Sequence, residues 1–280
     1  MLPDGRLWKE PEHATPPPPP TGYSNNGCYL RRLSDCCSTI SKEHYISRSA
    51  LEIFETDGNV RVTGMPWFQP GESRVLPING LAANILCVRH NTALSSFDAE
   101  AGRFFRAAVA IDNDLAVSTR LSGRGNIHLF SGLTLEMWMV KVACGIFYSR
   151  IGRDAGERLI DEHEFDEQLA FGALTRGLFE RGAGMYVRGG LGKVLTADHS
   201  LSVGPILHTD EKRVAGALFV LRGRQFVVLF DAKRASTLTA ESWMYRPSEL
   251  VASNDRRAHI IRLTWPREVP FKTFKVVQAI

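Results

Sequence analysis

The chain lacks any apolar run long enough to cross a bilayer. The nearest approach is GLTLEMWMVKVACGIFYS, 132–149, which is marginal in length and carries Glu136 and Lys141, so it reads as a buried helix. Met1–Gly27 holds no apolar stretch of the kind a secretory leader needs. No membrane association is therefore expected, and the expected compartment is the cytoplasm, where thiols stay reduced. Neither sign of charge dominates. The 34 Lys and Arg stand against 30 Asp and Glu, a net +4, which permits contact with nucleic acid without arguing for it. No internal repeat is visible. A phosphate loop is missing too, because RGGLGKV, 188–194, fails the G-x-x-x-x-G-K-[ST] pattern at both ends. DEHEFDEQ, 161–168, has acids and His163 but neither a cysteine partner nor an H-E-x-x-H spacing, and reads as a solvated helix start.

Cysteine is scarce, and its distribution is uneven. Four of the five, Cys28, Cys36, Cys37 and Cys87, lie in the first third of the chain, with Cys144 alone beyond. An odd count in a reducing compartment argues against a disulfide framework and for metal or core roles. Cys87-x-x-His90 places two zinc-type ligands on one helical face. Cys28 and Cys36, seven residues apart by intervening count, complete a four-ligand zinc set if the segment between them loops back. Cys37 is a rival to Cys36, and adjacent side chains point differently, so one of the two is expected to bind.

Composition and periodicity suggest an α+β chain in several parts. Residues 1–27 carry five consecutive prolines and read as a disordered, proline-rich tail. Residues 28–110 form a first domain with short extended pieces and a helix, whose apolar side is Leu94, Phe97, Ala101, Phe104, Phe105 and Ala108. Residues 111–131 read as a connection. Residues 132–280 form an α+β domain: helices over 133–148 and 164–181, then β-rich runs from about 201, consistent with an antiparallel sheet.

Between the two ligand pairs lies Glu43-His44, and Asn91 directly follows His90. The order Cys28…Cys36, Glu43-His44, Cys87-x-x-His90-Asn91 resembles the HNH (His-Me finger) endonuclease family in its zinc-bearing ββα-metal form, over about residues 28–106. The resemblance implies a zinc-stabilised, treble-clef-like ββα finger and hydrolysis of nucleic-acid phosphodiester bonds. His44 would be the general base, a role suited to imidazole near neutral pH. Glu43 and Asn91 would hold a catalytic Mg²⁺ or Mn²⁺, which prefers oxygen ligands, while structural Zn²⁺ sits on Cys28, Cys36, Cys87 and His90. Asp98, two turns beyond Asn91, is a further ligand of the divalent cation, an orienting partner for His44, or a surface acid. Lys42, Arg48, Arg89, Arg103 and Arg106 flank the motif and could contact phosphates. The expected partner is nucleic acid, DNA in the first place, and no motif names a protein partner. The rival expectation is a non-catalytic zinc module that docks nucleic acid or protein.

Overall fold

The computed structural model describes residues 15–65, 67–69, 71–117, 126–149, 167–176, 179–189, 201–208, 213–235, 238, 243–254, 257–266 and 272–279. It is a mixed α+β fold. The first third contributes β1 (Ile40–His44), α1 (Arg48–Leu51), β2 (Glu55–Thr56), β3 (Asn59–Thr63), β4 (Ser73–Pro77), β5 (Ala82–Cys87) and α2 (Val88–Val117). Then come β6 (Ile127–Ser131), α3 (Gly132–Tyr148), α4 (Glu167–Arg176), β7 (Gly184–Arg188), β8 (Leu201–Leu207), β9 (Val214–Leu221) and β10 (Arg224–Leu229). The chain closes with β11 (Trp243–Tyr245), β12 (Pro247–Ser253), β13 (Ala258–Thr264) and β14 (Lys272–Ala279).

Three sheets result among the described residues. β1 and β5 form an antiparallel pair. An eight-stranded sheet runs β11-β7-β10-β9-β8-β3-β2, with β4 also on β3, and a four-stranded sheet runs β14-β12-β13-β6. Antiparallel pairs predominate, but β3–β8, β12–β14 and β13–β6 are parallel. Each of these joins strands far apart in sequence, as parallel pairing requires a crossover. Local alternation cannot reveal such pairs. The β9–β10 hairpin turns on Arg222 and Gly223, both at positive φ (48° and 74°), the conformation that suits the twist of a two-residue hairpin loop.

Helix α2 corrects the expected boundaries. It does not stop near 110 but continues to Val117, into the segment expected to be a connection. Ile111 and Leu115 extend its buried stripe. Asp112, from the polar DND sequence, is fully buried and accepts from Arg222 and Arg224 of the β9–β10 hairpin. A buried carboxylate with two guanidinium partners is satisfied inside the fold, so its polarity does not mark a loop. β6, also within 111–131, pairs with β13. The first and second halves of the sequence thus share two sheets.

Helix α3 is the central element. Ser131 caps it, its hydroxyl accepting from the Thr134 N–H at 3.1 Å, and all seventeen of its residues are buried. Trp138 packs against Phe105 and Phe219, and Phe104 against Phe130 and Phe226, so α2 and both large sheets meet in one aromatic core. The described part of α4 lies within the helix expected over 164–181, with Phe171 and Leu174 buried. Residues 161–166 of DEHEFDEQ, and most of RGGLGKV, fall outside the described residues.

The proline-rich tail is also corrected in part. Residues 15–27 make hydrogen bonds to α2 and to the segment around Cys36. The Arg89 guanidinium donates to the carbonyls of Pro17 (2.5 Å) and Pro19 (3.1 Å), and the Cys36 N–H donates to the Tyr23 carbonyl at 2.8 Å. Proline removes backbone donors but leaves carbonyls free to accept. Residues 1–14 lie outside the described residues.

Candidate metal centre and the adjoining acidic site

Four ligand atoms converge where the sequence places a zinc. Cys28, Cys36, Cys87 and His90 are all buried, and their ligand atoms lie within 4.8 Å of one another. His90 Nδ1 is 3.2 Å from Cys87 Sγ, 3.5 Å from Cys28 Sγ and 3.7 Å from Cys36 Sγ. A tetrahedral zinc with bonds of ~2.3 Å to sulfur and ~2.0–2.1 Å to nitrogen sets S···N edges of about 3.6 Å. The three distances bracket that edge, so the cluster could hold a metal such as zinc.

Backbone geometry explains how distant residues meet. A 3-10 turn at Arg31–Leu33 and a left-handed Ser34 (φ 51°) fold the chain back, which brings Cys36 to Cys28. The Tyr29 N–H donates to the Ile85 carbonyl, and the Val88 N–H to the Thr39 carbonyl, both at 2.9 Å, so this loop is sewn to the junction of β5 and α2. Asn25 braces it by donating to the carbonyls of Cys37 (3.0 Å) and Ser38 (2.9 Å). Burial pushes the Cys28 thiol far above its usual range, and the neighbouring Cys87 and Cys36 add to the shift. Burial raises Cys36 as well. Cys28 and Cys36, crowded away from water, resist ionisation unless a cation joins them, which is the chemistry of a metal site.

Of the two adjacent cysteines, Cys36 is buried in the four-ligand group, whereas Cys37 is half-buried and stands outside it. Cys37 Sγ accepts from the Arg89 N–H at 3.4 Å and lies 3.5 Å from the Thr39 carbonyl.

No family model, curated protein or solved structure matches this chain. The chemistry of the neighbouring residues has to be read from their own geometry.

Glu43 and Asp98 do come together, on a partner the sequence pattern did not single out. Lys141 of α3 reaches between them, its Nζ 2.6 Å from Glu43 Oε1 and 2.5 Å from Asp98 Oδ2. Its side chain is 3 % exposed. Burial alone would lower the Lys141 pKa, but the two carboxylates outweigh it and the net shift is upward. Burial raises Asp98, against the pull of Lys141 and with help from Glu43. The signal in the sequence was a single lysine inside an otherwise apolar helix turn, since an unpaired ammonium is not buried.

His44 adjoins this group. Burial lowers its pKa, with Arg48 and Lys42 adding to the fall and Asp98 opposing it, so the ring is neutral at neutral pH. Its Nε2 is buried with no hydrogen-bond partner among the described residues, and so is Asp98 Oδ1. Asn91 is half-buried, and its side chain makes no hydrogen bond among the described residues. The flanking cations do not form one group. Arg89 pairs with Asp35. Arg103 pairs with Glu100 and lies over the Phe130 ring, and Arg48 pairs with Glu52.

Three contacts on one face of α3 fix this arrangement. The Trp138 indole N–H donates to the Ser47 hydroxyl at 3.0 Å. Lys141 holds the two acids. Gly145 lies so close to Tyr45 that an added Cβ would fall 2.6 Å from the tyrosine Cβ. Positions 138, 141 and 145 follow the three-and-four spacing of one helix face, and they grip the segment from Glu43 to Ser47.

Proposed function

We propose that this chain is a metal-dependent endonuclease of the HNH type. In this reading the antiparallel β1–β5 pair and the helix that follows form a zinc-stabilised, treble-clef-like ββα finger, and zinc on Cys28, Cys36, Cys87 and His90 is structural. The observation that carries the reading is the position of His44. It is a neutral imidazole with a buried Nε2 that has no partner among the described residues, next to Glu43 in the chain and within the field of Asp98, on the strand that pairs with β5. His44 takes a proton from the attacking water. Glu43 and Asn91 would hold Mg²⁺ or Mn²⁺, and the unpartnered Asp98 Oδ1 offers a further hard oxygen ligand. When bound, that cation supplies a Lewis acid for the phosphate and the leaving oxygen.

The test is cleavage of supercoiled DNA and of single-stranded RNA by purified protein with Mg²⁺ or Mn²⁺. Cleavage is expected with one of them, and His44→Ala should remove it while zinc content and fold persist. Cleavage that survives His44→Ala would sink the assignment.

Lys141 favours a second reading. An ammonium already neutralises part of the Glu43–Asp98 pair, as in a purely structural ion triad. The finger would then dock nucleic acid or a protein without cutting it. Zinc-dependent binding of nucleic acid with no cleavage under either cation supports this alternative.

A further inference from the structure

We propose that Lys141 is the resident counter-cation of the Glu43–Asp98 pair, and that a divalent cation enters this site only by displacing its ammonium group. The inference rests on the nuclease reading for the purpose of the acids, but its tests do not depend on cleavage.

Space gives the first reason. Nζ lies within hydrogen-bond distance of one oxygen from each carboxylate. Mg²⁺ shared by those carboxylates, with bonds of ~2.0–2.1 Å, would occupy the volume that the ammonium fills. Charge gives the second. The two carboxylates carry two negative charges, Lys141 removes one, and the neutral His44 leaves the balance unchanged. One net negative charge offers a divalent cation little return for the water it sheds, whereas two would match it. The third reason is burial. Trp138 and Gly145 pin the backbone of α3 on either side, so only the four-carbon stem of Lys141 can move, and drawing its ammonium away from the acids inside a buried helix opposes cation entry. On entry, Asp98 Oδ1 and His44 Nε2, both buried and unpartnered among the described residues, gain a partner in the cation or in water bound to it. Lys141 therefore acts as a gate on metal occupancy, supplied from outside the finger.

The experiment measures Mn²⁺ binding to the zinc-loaded full chain by calorimetry and electron paramagnetic resonance. Lys141→Met should bind Mn²⁺ roughly tenfold or more tightly than the wild type, because the opposing charge is gone. A triple variant, Glu43→Gln with Asp98→Asn and Lys141→Met, should keep the shape of the triad and bind no Mn²⁺ there. Equal or weaker Mn²⁺ binding by folded Lys141→Met overturns the proposal. Should Lys141→Met lose its fold, amine-reactive labelling of the wild type decides. Saturating Mn²⁺ should speed modification of Lys141 severalfold, and unchanged labelling refutes displacement. If Mn²⁺ binds as expected and nucleic acid is left uncut, the nuclease reading fails while the gate stands.

Discussion

Replacing Cys36 or Cys37 with serine separates two residues that differ by one position and share a side-chain type. Cys36 is fully buried within the metal cluster, and Cys37 lies outside it. A metal held by this set cross-links the chain twice. Cys36 to Cys87 closes 87 − 36 = 51 residues, and Cys28 to Cys36 closes 36 − 28 = 8. Treated as chain-entropy cross-links, these loops are worth about 4 and about 2.5 kcal/mol. Complete removal of the metal therefore costs between ~6 and ~7 kcal/mol, comparable with the whole stability of many domains. Cys36→Ser opens the short loop and leaves three ligands, so a loss of at least ~2.5 kcal/mol is expected. That corresponds to a fall in Tm on the order of 5–10 °C in a chain of this size. Cys37→Ser should fall within ~0.5 kcal/mol of the wild type. Zinc stoichiometry by mass spectrometry and Tm by circular dichroism provide the two readouts. Equal zinc content and Tm in the two variants would falsify the assignment of Cys36 as a ligand, as would a larger loss from Cys37→Ser.

Gly145→Ala should destabilise the protein by about 1–3 kcal/mol through overpacking, because the new methyl meets the Tyr45 Cβ at 2.6 Å and its Cα at 2.9 Å. A Tm equal to that of the wild type would mean that α3 does not approach β1 so closely. Alkaline titration provides a check on the core. Burial pushes Tyr29 and Tyr45 well up, and it pushes Tyr186 up to about 12. Their folded pKa values lie above the unfolded value of about 10. Their contribution to stability is therefore complete below about pH 10 and lost as pH rises through the folded values. Tyrosinate absorbance should show these phenols ionising late and together with unfolding. Full ionisation of all six tyrosines near pH 10 in folded protein would contradict their burial.

The metal cluster was legible because its ligands obey local spacing rules. Cys87-x-x-His90 announces itself within one turn, and the grouping of cysteines before residue 91 supplies the rest. Glu43, His44 and Asp98 were legible for a similar reason, the dipeptide and the two-turn step along α2. Lys141 was not, because its partners lie 43 and 98 residues away, and the one acid near it in sequence, Glu136, pairs with Arg246 instead. The choice between Cys36 and Cys37 needed the left-handed turn at Ser34, which spacing alone does not specify. The boundary at 110 was misplaced because Asp112 reads as a loop residue until Arg222 and Arg224 are seen against it. The strands of the β-rich segment were recognisable singly as β8, β9, β10 and β13. Their order was not, since β3 enters one sheet and β6 another by parallel pairing from far upstream.

The grip of α3 on β1 has a consequence for modularity. A fragment ending before Gly132 would keep every member of the Cys/His cluster, yet it would leave Glu43 and Asp98 without the ammonium between them. It would also remove β8, against which β3 pairs. The first third is thus no transplantable cassette: the four residues of the Cys/His cluster travel together in sequence, but the electrostatic balance of the acids near them is inherited only with the rest of the chain.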